Sequence, residues 1–347
     1  MKKLLITTAL AGAMIGGSAI AQTTITGELR VGYKAISNDS AGGAGSGRGF
    51  GAEQQINIQT KGKTNIGWDY AAGFSLENDG ESSTQTGTLY NENAYFDFIN
   101  GNTMITIGRD HIQRSDSARS NGVLFGYDPR DILDGMNTLA IDSSILFQQN
   151  IGAAPGQSYG LGVVQTLPGF GKVSVNYVPE TAQAGASEAM LSTESESAYE
   201  IGFTGDLGVK GLDVYAFAHE GKLLNGETKK KSGENYGIKY TMGQMSAGYT
   251  RKEHVGSGAL SKTVDVQEDH YGIAYAVTPL LTVGANYFKA DGGGSTADAK
   301  VTALQVGYNL GPVALTAGVA KAENVLGGTA ASQDADKIGF VRLIGAF

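Results

Sequence analysis

The chain consists of short stretches in which apolar residues alternate with polar or small ones, a period of two that is typical of β-strands. In residues 270–288, for example, Tyr271 and Ile273 share one face, whereas Gly272 and Ala274 share the other. Two kinds of connection between these stretches alternate along the chain, one a tight turn and the next a long polar loop. An up-and-down barrel whose two rims face different environments has this rhythm of connections.

Sixteen such stretches can be counted, and a barrel whose two chain ends lie at the same rim requires an even number. The predicted strands are 23–34, 50–60, 65–77, 88–99, 103–109, 158–167, 172–178, 197–206, 212–220, 234–241, 245–254, 266–277, 281–290, 299–308, 313–322 and 337–347. A further apolar segment, 138–150, is interpreted as the return of a long loop or as an extension of the next strand. The first tight turn is predicted at 61–64. The predicted fold class is therefore all-β, a transmembrane up-and-down antiparallel β-barrel of 16 strands, most of them about as long as the 9–11 residues that cross a bilayer at a tilt.

Residues 1–21 show the three-part pattern of a cleaved secretory signal peptide. Lysines at the start precede a short apolar stretch, which ends at Ala19-Ile20-Ala21 before Gln22. The apolar part falls short of the ~20 residues that a membrane-spanning helix needs. We expect cleavage after Ala21, which leaves residues 22–347 as one barrel domain of 326 residues.

The composition excludes several classes of function. The chain has no cysteine, so an exported protein of this sequence has no disulfide framework. Removing Lys2 and Lys3 from its 26 basic residues leaves 24 against 34 acidic ones, and this net charge of −10 argues against a nucleic-acid partner. None of the four histidines has the close spacing of a metal motif, and no nucleophile can be assigned to a base. We therefore expect neither an enzyme activity nor a metal or other cofactor.

The sequence resembles the general bacterial porins, which are trimeric proteins of the Gram-negative outer membrane. Five features carry this resemblance. They are the signal peptide, the start TTITGELRVGYK, the rhythm of tight turns, the ITIGRD stretch (105–110) before a long third loop, and the alternating last strand ending in Phe347. It covers the whole mature chain. It implies a homotrimer of water-filled channels for the passive diffusion of small hydrophilic solutes and ions, embedded in outer-membrane lipid and lipopolysaccharide. It also implies that the third loop, about 110–157, folds into the lumen, and that the barrel-assembly machinery reads the last strand.

Charged residues with apolar strand neighbours are expected to face the lumen of such a barrel. In the first strand Leu29 and Val31 mark the lipid face, so Arg30 points inward, and in the last strand Arg342 does so by the same rule. The first and last strands are neighbours in a closed barrel, so Arg30 and Arg342 could form one basic wall. The same inward parity is shared by Glu28, Lys34, Asp69, Glu200, Lys239 and Lys252.

The charges at the narrowest point decide the selectivity of a channel, and the third loop is the candidate constriction. Its acidic residues are Asp116, Asp128, Asp131 and Asp134, and they are mixed with Arg114, Arg119 and Arg130. We expect the aspartates to oppose the wall residues Arg30, Lys34 and Arg342 across the opening, with the three loop arginines among the basic residues of the constriction. Because charges are screened over about 8 Å at physiological salt, only those near the narrowest point should matter. The overall acidic excess predicts a mild preference for cations.

Three alternatives remain open at this point. A substrate-selective porin for sugars, phosphate or dicarboxylates would be favoured by an aromatic track or an arginine ladder along the lumen, and the arginines at 114–130 keep this alternative open. A structural or adhesive barrel would use its long loops to bind a surface, and a secreted soluble β protein would not enter a membrane. The run of three lysines at 229–231 is a solvated loop segment and a candidate contact for lipopolysaccharide phosphates.

Overall fold

The computed structural model describes residues 22–37, 47–80, 90–109, 159–179, 197–221, 232–255, 265–291, 298–323 and 335–347. These residues form sixteen strands. The strands are β1 (Gln22–Ser37), β2 (Gly47–Lys63), β3 (Asp69–Gly80), β4 (Tyr90–Asn100), β5 (Thr103–Arg109), β6 (Tyr159–Leu167), β7 (Gly171–Val178), β8 (Ala198–Gly205), β9 (Leu212–Gly221), β10 (Ser232–Met242), β11 (Met245–Val255), β12 (Asp265–Ala276), β13 (Leu281–Asp291), β14 (Ala299–Asn309), β15 (Val313–Glu323) and β16 (Ala335–Ala346). Within these ranges, no helix is long and apolar enough to cross a membrane.

The strands form one closed barrel in which each strand pairs antiparallel with its neighbours in sequence, and β16 pairs with β1. At this seam Val31 lies opposite Leu343, and Gly32 lies opposite Arg342. Closure leaves no strand edge with unpaired backbone groups, which would be costly in lipid. The predicted sixteen-stranded barrel and the predicted pairing of the first strand with the last are confirmed.

The two faces of the sheet differ in chemistry as the alternation predicts. The large apolar side chains exposed along the strands lie on the outer face, as Leu29, Phe96, Ile201 and Leu343 do. On the inner face, the buried polar side chains include Asp97, Thr106 and Asn176. An outer face of this kind suits contact with lipid, and a polar inner face suits contact with water.

Tight connections gather at one rim of the barrel, where β1 and β16 also meet through Gly27 and Phe347. The prediction of the first turn at 61–64 is wrong, because β2 continues to Lys63 and the turn spans residues 64–68. Gly67 takes a φ of 84°, which favours glycine, and its N–H donates to the carbonyl of Thr64 (3.0 Å). Gly62 serves another purpose, since a Cβ there would lie 2.8 Å from the ring of Tyr70. The segment 138–150 lies outside the described residues.

Candidate pore lining

The inner face of the barrel carries nearly all of its buried polar side chains. Among the buried polar and charged residues of the described chain, all but Asp269 have inward parity. Neighbouring strands align such residues directly, as in the pairs Asn176 and Glu200, or Lys252 and Glu268. The inner face therefore carries polar residues on most strands, interrupted by a buried apolar patch on β13 to β16 that includes Phe288, Val301 and Phe340, and it is the candidate functional site.

Arg30 lies at the centre of a charge cluster on β1 and β2. Its Nη1 donates to Oε1 and Oε2 of Glu53 (2.6 and 2.8 Å), and its Nε donates to Oε1 of Glu28. Glu53 lies directly opposite Arg30 in the β1–β2 register. About a third or more of each of these side chains is exposed, at 39% for Arg30 and 31% for each glutamate. The cluster therefore presents two carboxylates and one guanidinium to the lumen.

The other two predicted wall residues lie on the same face. Arg342 is opposite Gly32, and Lys34 is opposite Phe340, both in the β1–β16 register. Arg30 is opposite Ile344, so Arg342 is its diagonal neighbour across the seam. Arg30, Lys34 and Arg342 thus share one stretch of inner wall, as their parity predicts.

Glu53 is not among the residues predicted from the sequence, and its carboxylate offsets the positive charge of Arg30. The inward orientation of Glu53 can be inferred from the alternation of β2, where Ile56 and Ile58 mark the outer face and residues of odd number face inward. The pairing of Glu53 with Arg30 also requires the hairpin register, and the misplaced turn at 61–64 obscures that register.

The remaining predicted inward charges are found on the inner face, each beside a partner. Lys63 binds Asp69 (Nζ to Oδ1, 2.5 Å) and Lys239 binds Asp213 (3.2 Å), both near the rim of tight turns. Further along the wall, Asn176 donates to Glu200 (2.9 Å). The pair of Lys252 and Glu268 (3.5 Å) is buried, with exposed fractions of 3% and 4%.

The inner wall is balanced in charge. Among the side chains that the structure describes on this face, eight are basic and eight are acidic. They are Arg30, Lys34, Lys61, Lys63, Lys172, Lys239, Lys252 and Arg342, and Glu28, Glu53, Asp69, Glu77, Asp97, Glu200, Asp213 and Glu268. The described side chains of the wall therefore give no net electrostatic preference for either sign of ion.

Large aromatic rings also lie on the inner face, where mainly small residues are expected. Phe217 and Tyr215 of β9 are only 4% and 3% exposed. Their rings cover glycines on the two adjacent strands, since a Cβ on Gly202 would clash with the ring of Phe217 at 2.0 Å and one on Gly237 with Tyr215 at 2.5 Å. The rings lie against the wall and fill the space that the glycines leave, so they offer little surface to a solute.

The candidate acidic side of the constriction lies outside the described residues. This holds for Asp116, Asp128, Asp131 and Asp134, for the loop arginines Arg114, Arg119 and Arg130, for the whole loop 110–157, and for the lysines at 229–231. The strand ends that flank the loop are described, and Arg109 of β5 pairs with Tyr159 of β6 at the rim opposite the tight turns. In the described part of the chain, no three His, Asp or Glu side chains are grouped as a metal site would require.

A closed antiparallel barrel of sixteen strands, with exposed apolar side chains outside and its buried charged and polar side chains almost all inside, is typical of a channel protein of the porin class. The chain matches the family model of Gram-negative porins over residues 7–326, and it belongs to that family. It is accordingly an integral β-barrel of the outer membrane, which excludes the soluble alternative.

Solved structures of outer-membrane proteins share this fold at low sequence identity. An anion-selective porin from Comamonas acidovorans has 14% identity and a TM-score of 0.66, and the match covers 94% of this chain and 100% of that one. A loop-deletion mutant of OmpT from Vibrio cholerae has 14% identity and a TM-score of 0.64, with 94% and 99% covered. OmpF of Salmonella typhi, in complex with daunomycin, has 12% identity and a TM-score of 0.63, with 94% and 98% covered. No curated protein matches the chain.

Proposed function

We propose that the barrel is a water-filled channel for the passive diffusion of small hydrophilic solutes and ions. The observation that carries this proposal is that nearly all the buried polar side chains of the described chain lie on the inner face of a closed sixteen-stranded barrel. Barrels of 16–18 strands are wide enough to hold an aqueous channel. Fold and family favour a channel over an enzyme.

We also propose that the segment 110–157 folds into the lumen and forms the constriction. In this arrangement Asp116, Asp128, Asp131 and Asp134 face the wall of Arg30, Lys34 and Arg342, and a transverse field crosses the opening. The segment joins two adjacent strands at Arg109 and Tyr159, so its length far exceeds what the connection needs. The loop arginines Arg114, Arg119 and Arg130 reduce the acidity of the loop side.

The sign of the ion selectivity is proposed to come from the long loops and not from the strands. The described inner wall is balanced, whereas the segments between strands at the rim opposite the tight turns carry fifteen acidic and eight basic residues in the sequence. This excess predicts a mild preference for cations. The porin from Comamonas acidovorans shares this fold and is anion-selective. This agrees with the proposal that the fold alone does not determine whether cations or anions are preferred.

General diffusion is preferred to a substrate-selective channel for two reasons. The only arginines on the inner face of the described strands are Arg30 and Arg342, which do not form a ladder along the channel. The inner aromatic rings, such as Phe217, are buried against glycines. A sugar, phosphate or dicarboxylate channel would then depend on the loop arginines. A structural or adhesive barrel would show no conductance.

We further propose that residues 1–21 are removed as a signal peptide and that the mature chain forms a homotrimer, inserted by the barrel-assembly machinery. OmpT of Vibrio cholerae, which shares the fold at a TM-score of 0.59, has been solved in a trimer form. Cross-linking of the detergent-extracted protein tests the oligomer, and a predominant monomer would contradict it.

Single-channel recording in a planar bilayer tests the main proposal. We expect ohmic conductance that scales with the salt concentration, and a reversal potential in a salt gradient that indicates weak cation selectivity. Competition by added sugars, phosphate or dicarboxylates at millimolar concentration would instead support the substrate-selective alternative. The absence of any conductance from folded protein would refute a channel.

A further inference from the structure

The inner face of β13 to β16 carries an apolar patch in the half of the barrel away from the tight turns. The inner apolar patch consists of Phe288, Val301, Ala303, Ala320, Ile338 and Phe340. It is continuous across the strands, since Phe288 lies opposite Val301, Ala303 opposite Ala320, and Ala320 opposite Ile338. All six side chains are at most 7% exposed. Contact with water would be unfavourable for an apolar surface of this extent, so its burial in the wall of a channel requires a cause.

The strands themselves do not account for the burial of the larger side chains. The ring of Phe217 on β9 can lie flat because its neighbour across the strands is a glycine. Phe288 has no such space, because its neighbours across the strands are His270 and Val301. It is nevertheless only 1% exposed, as is Ile338. The cover therefore lies over the patch on its lumen side.

The opposite wall of the barrel is too far away to be this cover. Sixteen strands spaced about 4.8 Å apart and tilted by about 40° enclose a barrel about 30 Å across. In the closed sheet, β13 and β14 are eight strands away from β5 and β6. The patch thus lies directly across the lumen from the two strand ends that the segment 110–157 joins.

The segment 138–150 has the composition that such a cover needs. Asp142 is its one charged residue. Its large apolar residues are Leu139, Ile141, Ile145, Leu146 and Phe147. The connections next to the patch match it less well, because 292–297 has no large apolar residue and 324–334 has only two.

The chain on either side of this segment is long enough for it to reach the patch. Twenty-nine positions separate Arg109 from residue 138, which is ample for crossing the lumen. Nine positions lead from residue 150 back to Tyr159. At about 3.3 Å per residue these nine span about 30 Å when extended, which is about the width of the barrel. The return to β6 is therefore just long enough for a segment that lies on the far wall.

We propose that residues 138–150 dock on the inner apolar patch and attach the long loop to the wall opposite its two ends. The proposal rests on the proposed folding of 110–157 into the lumen, and it names the place where that loop is held. Phe340 of the patch is opposite Lys34, and Arg342 follows it on the same face. Asp134 precedes the segment by four residues, so docking brings it within about 13 Å of the patch. The anchor thus sets an acidic residue of the loop beside the basic wall.

Cross-linking tests the contact directly, because the chain has no cysteine and introduced pairs give no background. One cysteine replaces Val301 in the patch, and the other replaces Leu146 or Phe147. We expect at least one pair to form a disulfide under mild oxidation, since docked residues bring Cβ atoms about 4 Å apart. The control Asn176→Cys lies at a buried inner position of β7, close to the root of the loop, and should not cross-link to the segment.

The rate of cysteine labelling measures the cover independently of cross-linking. Val301→Cys alone should react slowly with a bulky hydrophilic maleimide. Leu146→Ser/Phe147→Ser should raise this rate at least about tenfold, because losing even one fully buried side chain of this size changes an equilibrium about tenfold. The matched control is Val325→Ser/Leu326→Ser in the 324–334 connection, which should leave the rate unchanged. Both changes leave the sixteen described strands untouched.

Three results would overturn the docking. They are a cross-link from the segment to Asn176→Cys in place of Val301→Cys, a cross-link from Val301→Cys to Phe125→Cys or Leu326→Cys in its place, and equal labelling rates in the two serine variants. Conductance of the unmodified protein separates this outcome from the proposed function. A protein that cross-links as expected but does not conduct would refute the channel and leave the docking standing, whereas a conducting protein without the cross-link would refute the docking alone.

Discussion

The ring of Phe347 lies across the backbone of Gly27, and the two residues exchange both of their backbone hydrogen bonds (2.8 and 3.0 Å). A Cβ on Gly27 would come within 2.2 to 2.8 Å of three ring atoms. A side chain at position 27 would therefore displace a ring that is 320 positions away in the sequence.

This contact predicts a strong coupling between the two positions. Gly27→Ala should destabilise the barrel by about 1 kcal/mol, because the exposed ring of Phe347 must rotate away from the new Cβ. In the background of Phe347→Ala the same change should cost less than about 0.5 kcal/mol. Urea unfolding followed through the single tryptophan, Trp68, measures the cycle. Additive effects of the two changes would contradict the coupling.

Glu53→Gln should shift the ion selectivity towards anions. The change removes a carboxylate that binds Arg30 at 2.6 and 2.8 Å, so more of the positive charge of Arg30 is exposed to the lumen. A unit charge acting across about 8 Å of water changes the local ion concentration about twofold. Reversal potentials in a salt gradient provide the measurement. The control is Asp69→Asn at the rim of tight turns, where the same loss of charge should have a smaller effect.

Arg342→Ala should shift the selectivity further towards cations, by about twofold in the permeability ratio. Arg342 lies on the same inner wall as Arg30, diagonally across the seam. Lys172→Ala, on the inner face at the rim of tight turns, is the matched control. An unchanged permeability ratio for Arg342→Ala would remove this residue from the constriction.

The buried pair of Lys252 and Glu268 should be important for stability. Glu268→Gln removes the carboxylate that faces the Lys252 ammonium in a site of 3% exposure, and we expect a loss of about 3–5 kcal/mol. The exposed pair of Lys63 and Asp69, at 65% and 56%, serves as the comparison. Asp69→Asn should cost less than about 1 kcal/mol. Urea unfolding of both variants measures the loss in the free energy of unfolding. Equal losses would show that burial of the ion pair does not determine its contribution to stability.

Phe217→Ala tests whether the ring of Phe217 stabilises the barrel or contacts a passing solute. The ring packs onto Gly202 and is 4% exposed, so its loss should cost about 3–5 kcal/mol. Single-channel conductance and the permeability to neutral sugars should not change, because the ring presents little surface to the lumen. A large change in sugar permeability with intact stability would instead mark Phe217 as a solute contact.

Much of the barrel could be predicted from the sequence, namely the number of strands, their order and which residues face inward. A period of two in a closed sheet places Arg30, Arg342, Lys239 and Glu200 on the inner face. The turn at 64–68 could not be predicted, since Gly62 and Gly67 look alike in sequence and only their surroundings show which one bends the chain. The contacts of Glu53 and of the inward-facing rings of Tyr215 and Phe217 could not be predicted for a similar reason. Their roles depend on partners in neighbouring strands, and alternation within one strand carries no information about register.

The seam has a consequence for how the protein reaches its native state. Fifteen of the sixteen strand pairs join strands that follow each other in the sequence, and only β1 with β16 joins the two ends of the barrel. Hairpins can therefore be added one after another at low entropic cost, whereas the last pairing must close a loop that contains nearly the whole chain. The kinetic barrier of folding should be concentrated in that one step, so a change at Gly27 or Phe347 should slow closure far more than it slows the growth of the sheet.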